Sequence, residues 1–155
     1  MTPRGFEMVQ RSADRPTLQG RSALVTGGGS GIGLAAAAAL VADGADVTLM
    51  GRTADKLEAA AEQLRQQAPE GVRVRTSAGD VTADADVAAA VALADADQTL
   101  RIVVASAGDG TMGPVVATST EEWNRILGVT LTGVFLVFRE AGAAIVRNGG
   151  GLMVA

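Results

Sequence analysis

The chain has 155 residues, of which 48% are hydrophobic and 19% charged, and its net charge is −4. These totals are typical of one globular domain. No run of lysine and arginine follows one face, and the chain has no cysteine and no histidine, which argues against a nucleic-acid interface, a disulfide framework, a thiolate metal site and a histidine general base.

The first segment, residues 1–17, is polar and lacks the apolar core of a secretory signal. We predict a flexible N-terminal tail there, followed by one domain over residues 18–155. The most apolar late stretch, GVFLVFREAGAAIV, is interrupted by Arg139 and Glu140 and is predicted to be too short to span a bilayer. We therefore expect a cytoplasmic protein without a membrane or nucleic-acid partner.

Short apolar or β-branched runs alternate along the chain with longer segments of helical periodicity. The predicted strands are 22–26, 46–50, 72–76, 101–106 and 151–155, and the predicted helices are 33–44, 53–68, 83–96 and 119–147. Strands that are separated by helical crossovers form a parallel sheet with helices on both faces. The sequence therefore predicts an α/β fold, a doubly wound parallel sheet that is truncated after its fifth strand. Ligands of such sheets bind at the carboxyl ends of the strands.

The stretch TGGGSGIG, residues 26–33, lies between the first predicted strand and the first predicted helix. Gly27 suits a tight turn out of the strand, Gly31 the close approach of a pyrophosphate, and Gly33 close packing of the helix on the sheet. The helix N-terminus offers unpaired N–H groups to phosphates, and the Ser30 hydroxyl adds a donor. The alternative is a flexible glycine turn without a ligand.

The end of the second strand bears on which dinucleotide binds. A carboxylate at this place would bind the ribose 2′-hydroxyl of NAD and repel a 2′-phosphate. Gly51 stands there instead, and it is followed by Arg52, whose guanidinium can hold a phosphate with two hydrogen bonds, and by the Thr53 hydroxyl. We therefore predict NADP as the cofactor, in preference to NAD. The alternative for Arg52 is a solvated turn residue.

The segment AGDVT, residues 78–82, follows the third predicted strand. Asp80 is predicted to accept a hydrogen bond from the adenine amino group, with Val81 beside the ring. An Asx turn that leads into the next helix is an equally good interpretation of Asp80.

Together with VASAG (104–108) and EEWNRILGVTLTGVFLV (121–137), these segments resemble the short-chain dehydrogenase/reductase family of the single-domain Rossmann type. The resemblance implies hydride transfer between NADP(H) and a small-molecule carbonyl or alcohol substrate. It also implies that Ile32, with Gly27 and Ser30, touches the pyrophosphate and nearby ribose. Residues at the end of the fourth strand would line the cofactor, namely Ala105, Ala107 and Gly108. Since members of the family form dimers and tetramers, the apolar helix LTGVFLVFREAGAAIVR is expected at a subunit interface, and burial inside one subunit is the alternative.

The chain departs from the family in its catalytic groups, which are usually an asparagine in the long helix, a serine, and a Tyr-x-x-x-Lys pair. Thr130 occupies the asparagine position, and a hydroxyl cannot offer a carbonyl acceptor and an amide donor together. The chain contains no tyrosine, and its one lysine is Lys56 on the second predicted helix.

The resemblance therefore implies that the catalytic serine, tyrosine and lysine are absent from this chain. Two functions compete: an NADP-dependent oxidoreductase represented by its N-terminal part, and a non-catalytic dinucleotide-binding module or inactive fragment. A methyltransferase that binds S-adenosylmethionine ranks third, because Arg52 is unfavourable beside a neutral adenosine ribose.

Overall fold

A computed structural model describes residues 18–111 and 113–155. Five strands form one sheet in the order β3-β2-β1-β4-β5, and every neighbouring pair is parallel. The strands are β1 (Ser22–Thr26), β2 (Asp46–Gly51), β3 (Val74–Ala78), β4 (Leu100–Ala105) and β5 (Leu152–Val154). The predicted doubly wound parallel sheet is confirmed. The predicted tail, residues 1–17, lies outside the described residues.

Helices connect the strands. They are α1 (Gly31–Ala42), α2 (Ala54–Arg65), α3 (Asp84–Ala94), α4 (Thr120–Leu127) and α5 (Gly133–Arg147). On α2 the buried residues are Leu57, Ala60, Ala61 and Leu64, which form one stripe at helical spacing. Gly44 has a φ of 93° just beyond α1, which is the left-handed conformation that ends helices.

Six predicted boundaries were wrong by two or three residues: both ends of the strand predicted over 72–76 and of the helix predicted over 33–44, and the last residues of the helices predicted over 53–68 and 83–96. The strand predicted over 72–76 begins at Val74, because Val72 N donates to Pro69 O in a turn at 3.1 Å. The helix predicted from 33 begins at Gly31, and the helix predicted to reach 68 ends at Arg65. Beyond Arg65 the α-helix gives way to 3₁₀-type turns, since the N–H groups of Gln67 and Ala68 each donate to the carbonyl three residues before.

Two apolar cores lie on opposite faces of the sheet, because successive strand residues point in opposite directions. Leu24 of β1 belongs to the core under α3 and α5, whereas Ala23 and Val25 belong to the core under α1 and α2. All five residues of β1 are buried, as expected of a strand in the middle of a parallel sheet.

The longest helical run continues from α4 through a π-helical segment, Gly128–Thr132, into α5. The prediction that the late apolar stretch is too short for a bilayer was wrong on length, because the run Thr120–Arg147 has 28 residues and is long and apolar enough to cross a membrane. One such helix is weak evidence of a membrane span. On the α5 side facing the sheet, residues such as Leu136, Val137 and Ala141 are buried in the core.

Candidate functional site

A cleft of about 190 Å³ opens at the carboxyl ends of the strands. Its walls come from the segments that follow β1, β2, β3 and β4, together with one residue of the π-helical segment. It is lined by Gly27, Gly29, Ser30, Gly51, Arg52, Thr53, Lys56, Leu57, Gly79, Asp80, Val81, Ala107, Gly108 and Val129. The cleft therefore lies where doubly wound sheets bind their ligands.

The glycine loop forms the first wall, and two of its glycines are required by backbone contacts. Gly27 has a φ of 66°, and a Cβ there would lie 2.8 Å from Ser106 O. A Cβ on Gly33 would lie 2.5 Å from Gly27 O, so only glycine lets α1 pack this close to the loop. Gly31 has a φ of 56° and nothing within 4 Å of a Cβ position, which leaves open space over the helix N-terminus.

Two hydroxyl groups at the cleft stand at helix N-caps without capping the helix. Ser30 precedes α1 and Thr53 precedes α2, and neither side chain makes a cap hydrogen bond. At α4, by contrast, Ser119 Oγ accepts a hydrogen bond from Glu122 N at 3.1 Å. Since serine and threonine usually satisfy the first N–H groups of a helix, the first turns of α1 and α2 keep N–H groups for another acceptor.

Two basic side chains line the same wall. Arg52 and Lys56 are exposed, and neither makes an ion pair or hydrogen bond through its side chain within residues 18–111 and 113–155. Lys56 lies in the first turn of α2, where the helix dipole disfavours a cation. Lys56 was not predicted as a cleft residue, although its place one turn after Arg52 was a usable signal.

The turn after β3 forms the adjacent wall. Asp80 Oδ1 accepts hydrogen bonds from Thr82 N at 2.9 Å and from Thr82 Oγ1 at 2.8 Å, so the Asx turn predicted as one interpretation is present. These bonds, and the positive charge of Arg52, hold the pKa of the Asp80 carboxyl below its usual value. Both bonds use Oδ1, so an ionised carboxylate in the cleft wall keeps Oδ2 as an acceptor.

The end of β4 forms the opposite wall. Thr26 Oγ1 accepts a hydrogen bond from Ala107 N at 3.1 Å and thereby ties this loop to the end of β1. Ala105 is buried within the sheet, whereas Ala107 and Gly108 line the cleft. Asp109 accepts from Gly110 N at 2.8 Å and pairs with Arg125, so it shapes the turn that follows.

Thr130 lies in the π-helical segment beside the cleft. Its Oγ1 donates to Ile126 O at 2.6 Å, and its Cγ2 lies 4.0 Å from the position of a Cβ on Gly108. π-Helical turns inside longer helices occur frequently at functional sites. The hydroxyl is thus engaged with its own helix, while Val129 faces the cleft.

The structure brings most of the predicted site residues together, but not all of them line the cleft. Gly31 and Ile32 lie at the open end of α1, with Ile32 82% exposed, while Gly33 and Ala105 are packed beneath the walls. The lining residues that the sequence analysis did not assign to the site are Gly29, Gly51, Lys56, Leu57, Gly79 and Val129. Apart from Lys56 they are small or apolar, and among these only Gly51 entered the prediction, as the residue in place of a carboxylate.

Fold and cleft together define a Rossmann-like α/β protein. The family model for short chain dehydrogenases matches residues 21–155, and the chain belongs to that family. Its relatives there are oxidoreductases.

Two curated relatives illustrate the similarity. Galactitol 2-dehydrogenase (L-tagatose-forming) of Cereibacter sphaeroides is 37% identical over 137 residues, and D-threitol dehydrogenase of Mycolicibacterium smegmatis is 38% identical over 138 residues. Each alignment covers 88% of this chain and 52% of the relative. The chain thus spans about half the length of the curated relatives it matches.

Solved structures agree in fold. A short-chain type dehydrogenase/reductase from Mycobacterium ulcerans matches with a TM-score of 0.84 at 38% identity, over 89% of this chain and 51% of that chain. L-Sorbose reductase from Gluconobacter frateurii, solved in complex with NADPH and L-sorbose, matches with a TM-score of 0.81 at 30% identity, over 88% of this chain and 52% of that chain.

Proposed function

We propose that the cleft binds NADP(H) and that the chain is the cofactor-binding part of an NADP-dependent short-chain dehydrogenase/reductase. The observation that carries this proposal is Arg52, which lines the cleft after Gly51 and makes no ion pair through its side chain within the described residues. A carboxylate, which would select NAD, is replaced by a glycine there, and a guanidinium suited to a 2′-phosphate follows.

Each part of the dinucleotide has a matching wall. The open N-terminus of α1, with Gly27, Ser30, Gly31 and Ile32, faces the pyrophosphate and nearby ribose. The second wall offers Arg52, Thr53 and Lys56 to the 2′-phosphate. Asp80 and Val81 face the adenine. Ala107 and Gly108, at the end of β4, face the rest of the cofactor with Ala105 buried behind them, and Gly33 holds α1 against the loop. Bound NADPH supplies a hydride to a carbonyl carbon, or NADP⁺ accepts one from an alcohol.

The substrate proposed is a small-molecule carbonyl or alcohol. Support comes from the relatives, whose names specify galactitol, D-threitol and L-sorbose. The chain contains no tyrosine and no histidine that could donate the proton that accompanies hydride transfer. We therefore propose that the 155-residue chain by itself binds the dinucleotide without turning it over.

We also propose a homo-oligomer. The support is an exposed apolar stripe on the long helix, where Leu131 is 64%, Phe135 56% and Val146 77% exposed. These three residues repeat at spacings that place them on one side of a helix.

The test is a comparison of Kd values for NADPH and NADH by isothermal titration. Replacing Arg52 by alanine removes a charge-assisted contact with the 2′-phosphate, so we expect about a tenfold to hundredfold loss of NADPH affinity and little change for NADH. Arg21→Ala is the matched control, because Arg21 is an exposed arginine at the opposite edge of the sheet. Equal NADPH and NADH affinities in the unmodified chain would overturn the preference for NADP. Binding of S-adenosylmethionine in place of NADPH would overturn the cofactor class.

A further inference from the structure

The turn Gly79–Val81, which lines the cleft after β3, is held in place by two residues that do not line the cleft themselves. Asp86 accepts a hydrogen bond from the backbone of the turn, and Gly133 leaves space for the side chain of Val81. They come from different helices, α3 and α5.

Asp86 of α3 holds the backbone. Its Oδ2 accepts a hydrogen bond from Asp80 N at 2.8 Å, and the contact is partly buried. The side chain reaches back past the N-cap of its own helix, Ala83, which offers no side-chain cap. Gly79 is required for this contact, because a Cβ there would lie 2.8 Å from Asp86 Cβ and 3.1 Å from its Cγ.

Gly133 of α5 leaves space for the side chain of Val81, which belongs to the turn. A Cβ on Gly133 would lie 2.7 Å from Val81 Cγ2 and 3.2 Å from Val81 Cβ, so the glycine leaves the space that Val81 fills. Val81 is 6% exposed in this position. Glycine weakens a helix relative to alanine, so its presence in the first turn of α5 follows from packing and not from helix propensity.

The turn carries Asp80 and Val81, whose position toward the cleft is therefore set by Asp86 and Gly133. We infer that Asp86 and Gly133 are positioning residues for the adenine end of the bound dinucleotide. The inference rests on the proposed function, and it adds two residues that have no contact with the ligand.

The first test measures Kd for adenosine 2′,5′-bisphosphate and for reduced nicotinamide mononucleotide. Asp86→Ala removes the acceptor of Asp80 N, and a lost hydrogen bond to a charged group predicts about a tenfold weaker binding of the adenosine ligand. Asp86→Asn keeps an acceptor oxygen and should restore affinity to within about twofold of the unmodified chain. Binding of the nicotinamide ligand should not change.

Asp84→Ala is the matched control, because Asp84 lies in the same first turn of α3 and pairs with Arg139 away from the cleft. Both alanine variants lose an acidic residue near the helix N-terminus, so both should lower the melting temperature. Only Asp86→Ala should weaken binding of the adenosine ligand. Equal binding by the two folded alanine variants would overturn the role of Asp86.

The second test needs no change on α3. Gly133→Ala pushes Val81 toward the cleft and should weaken the adenosine ligand about tenfold. Gly142→Ala makes the same chemical change on the same helix, where a Cβ meets nothing within 4 Å, and should leave binding unchanged.

The outcomes separate the two proposals. An unmodified chain that binds no adenosine 2′,5′-bisphosphate would overturn the proposed function and this inference with it. If the unmodified chain binds this ligand and neither Asp86→Ala nor Gly133→Ala weakens the binding, this inference alone is overturned.

Discussion

Basic side chains lie at both edges of the parallel sheet, but those at one edge form ion pairs and those at the other edge do not, in the part of the chain that the structure describes. At the edge where the strands begin, Arg73 contacts Asp46 and Asp97 at 2.5 Å, and Arg75 contacts Asp97 at 3.4 Å. At the edge where the strands end, Arg52 and Lys56 have no such partner within the described residues. Hydroxyl groups at helix N-caps also differ, since Ser119, which does not line the cleft, caps a helix whereas Ser30 and Thr53, which do, cap none.

The difference separates residues that hold the fold together from residues available to a ligand. Ion pairs at the first edge join the starts of β2, β3 and β4, so their charges are already neutralised. Cations at the other edge sit beside open N-termini of α1 and α2, which also favour anions. On the proposed function, the sheet therefore has a structural edge and an anion-binding edge, and four substitutions test this division.

The largest effect is expected at the anion-binding edge from Gly33→Ala. A Cβ at this position meets backbone atoms of Gly27, which cannot move aside as a side chain can. We expect a loss of about 1–3 kcal/mol in the free energy of unfolding, as for other overpacked sites, together with loss of NADPH binding. Urea denaturation and titration measure the two effects. Gly142→Ala on α5 is the control, and a Gly33→Ala chain as stable as the original would contradict the packing argument.

Removing an N-cap hydroxyl should have an intermediate effect. Loss of the Ser119 hydroxyl should lower stability, whereas loss of the Ser30 hydroxyl should lower NADPH affinity. Ser119→Ala removes a formed cap and should cost about 1 kcal/mol of stability without changing NADPH affinity. Ser30→Ala removes no cap, so stability should hold while NADPH affinity falls several-fold. Thermal melts and titration of both variants check this. Equal losses of stability in the two variants would show that Ser30 is an ordinary cap.

The smallest effect is expected at the structural edge from Arg73→Ala, because exposed ion pairs contribute little. NADPH affinity should stay within about twofold. The Arg73 guanidinium holds the pKa of the Asp97 carboxyl below its usual value. A lowered folded pKa stabilises the protein above the unfolded value, near 3.9, and this contribution is lost as pH falls through the folded pKa.

The stability difference between the original chain and Arg73→Ala should therefore be constant near neutral pH and shrink in acid. Denaturation at a series of pH values measures it. A difference that grows as the pH falls would contradict the assignment of Arg73 as the partner of Asp97.

Much of the fold could be predicted because its signals are local. The buried stripe of α2, including Leu57 and Leu64, follows from helical spacing, and the end of α1 follows from Gly44. The wrong boundaries lie where short-range turns compete with regular structure, as at Val72 and beyond Arg65. The long helix was predicted as one run over 119–147, and the π-helical segment within it was not predicted.

The candidate site could be predicted only in part. Gly27, Arg52 and Asp80 follow strands in a recognisable pattern, so their meeting at one edge follows from the parallel order. Val129 and Gly79 carry no functional group, and only the approach of distant segments shows that they line the cleft.

The sequence by itself determined the order of strands and helices, the glycine loop and the family, because these depend on periodicity and on residues close together in the chain. Tertiary structure alone decided which charges are paired, which hydroxyls cap a helix, and that Asp86 and Gly133 hold the turn after β3. The physical reason is distance: Gly133 meets Val81 across 52 positions of the chain, and such contacts form only when the helices pack on the sheet.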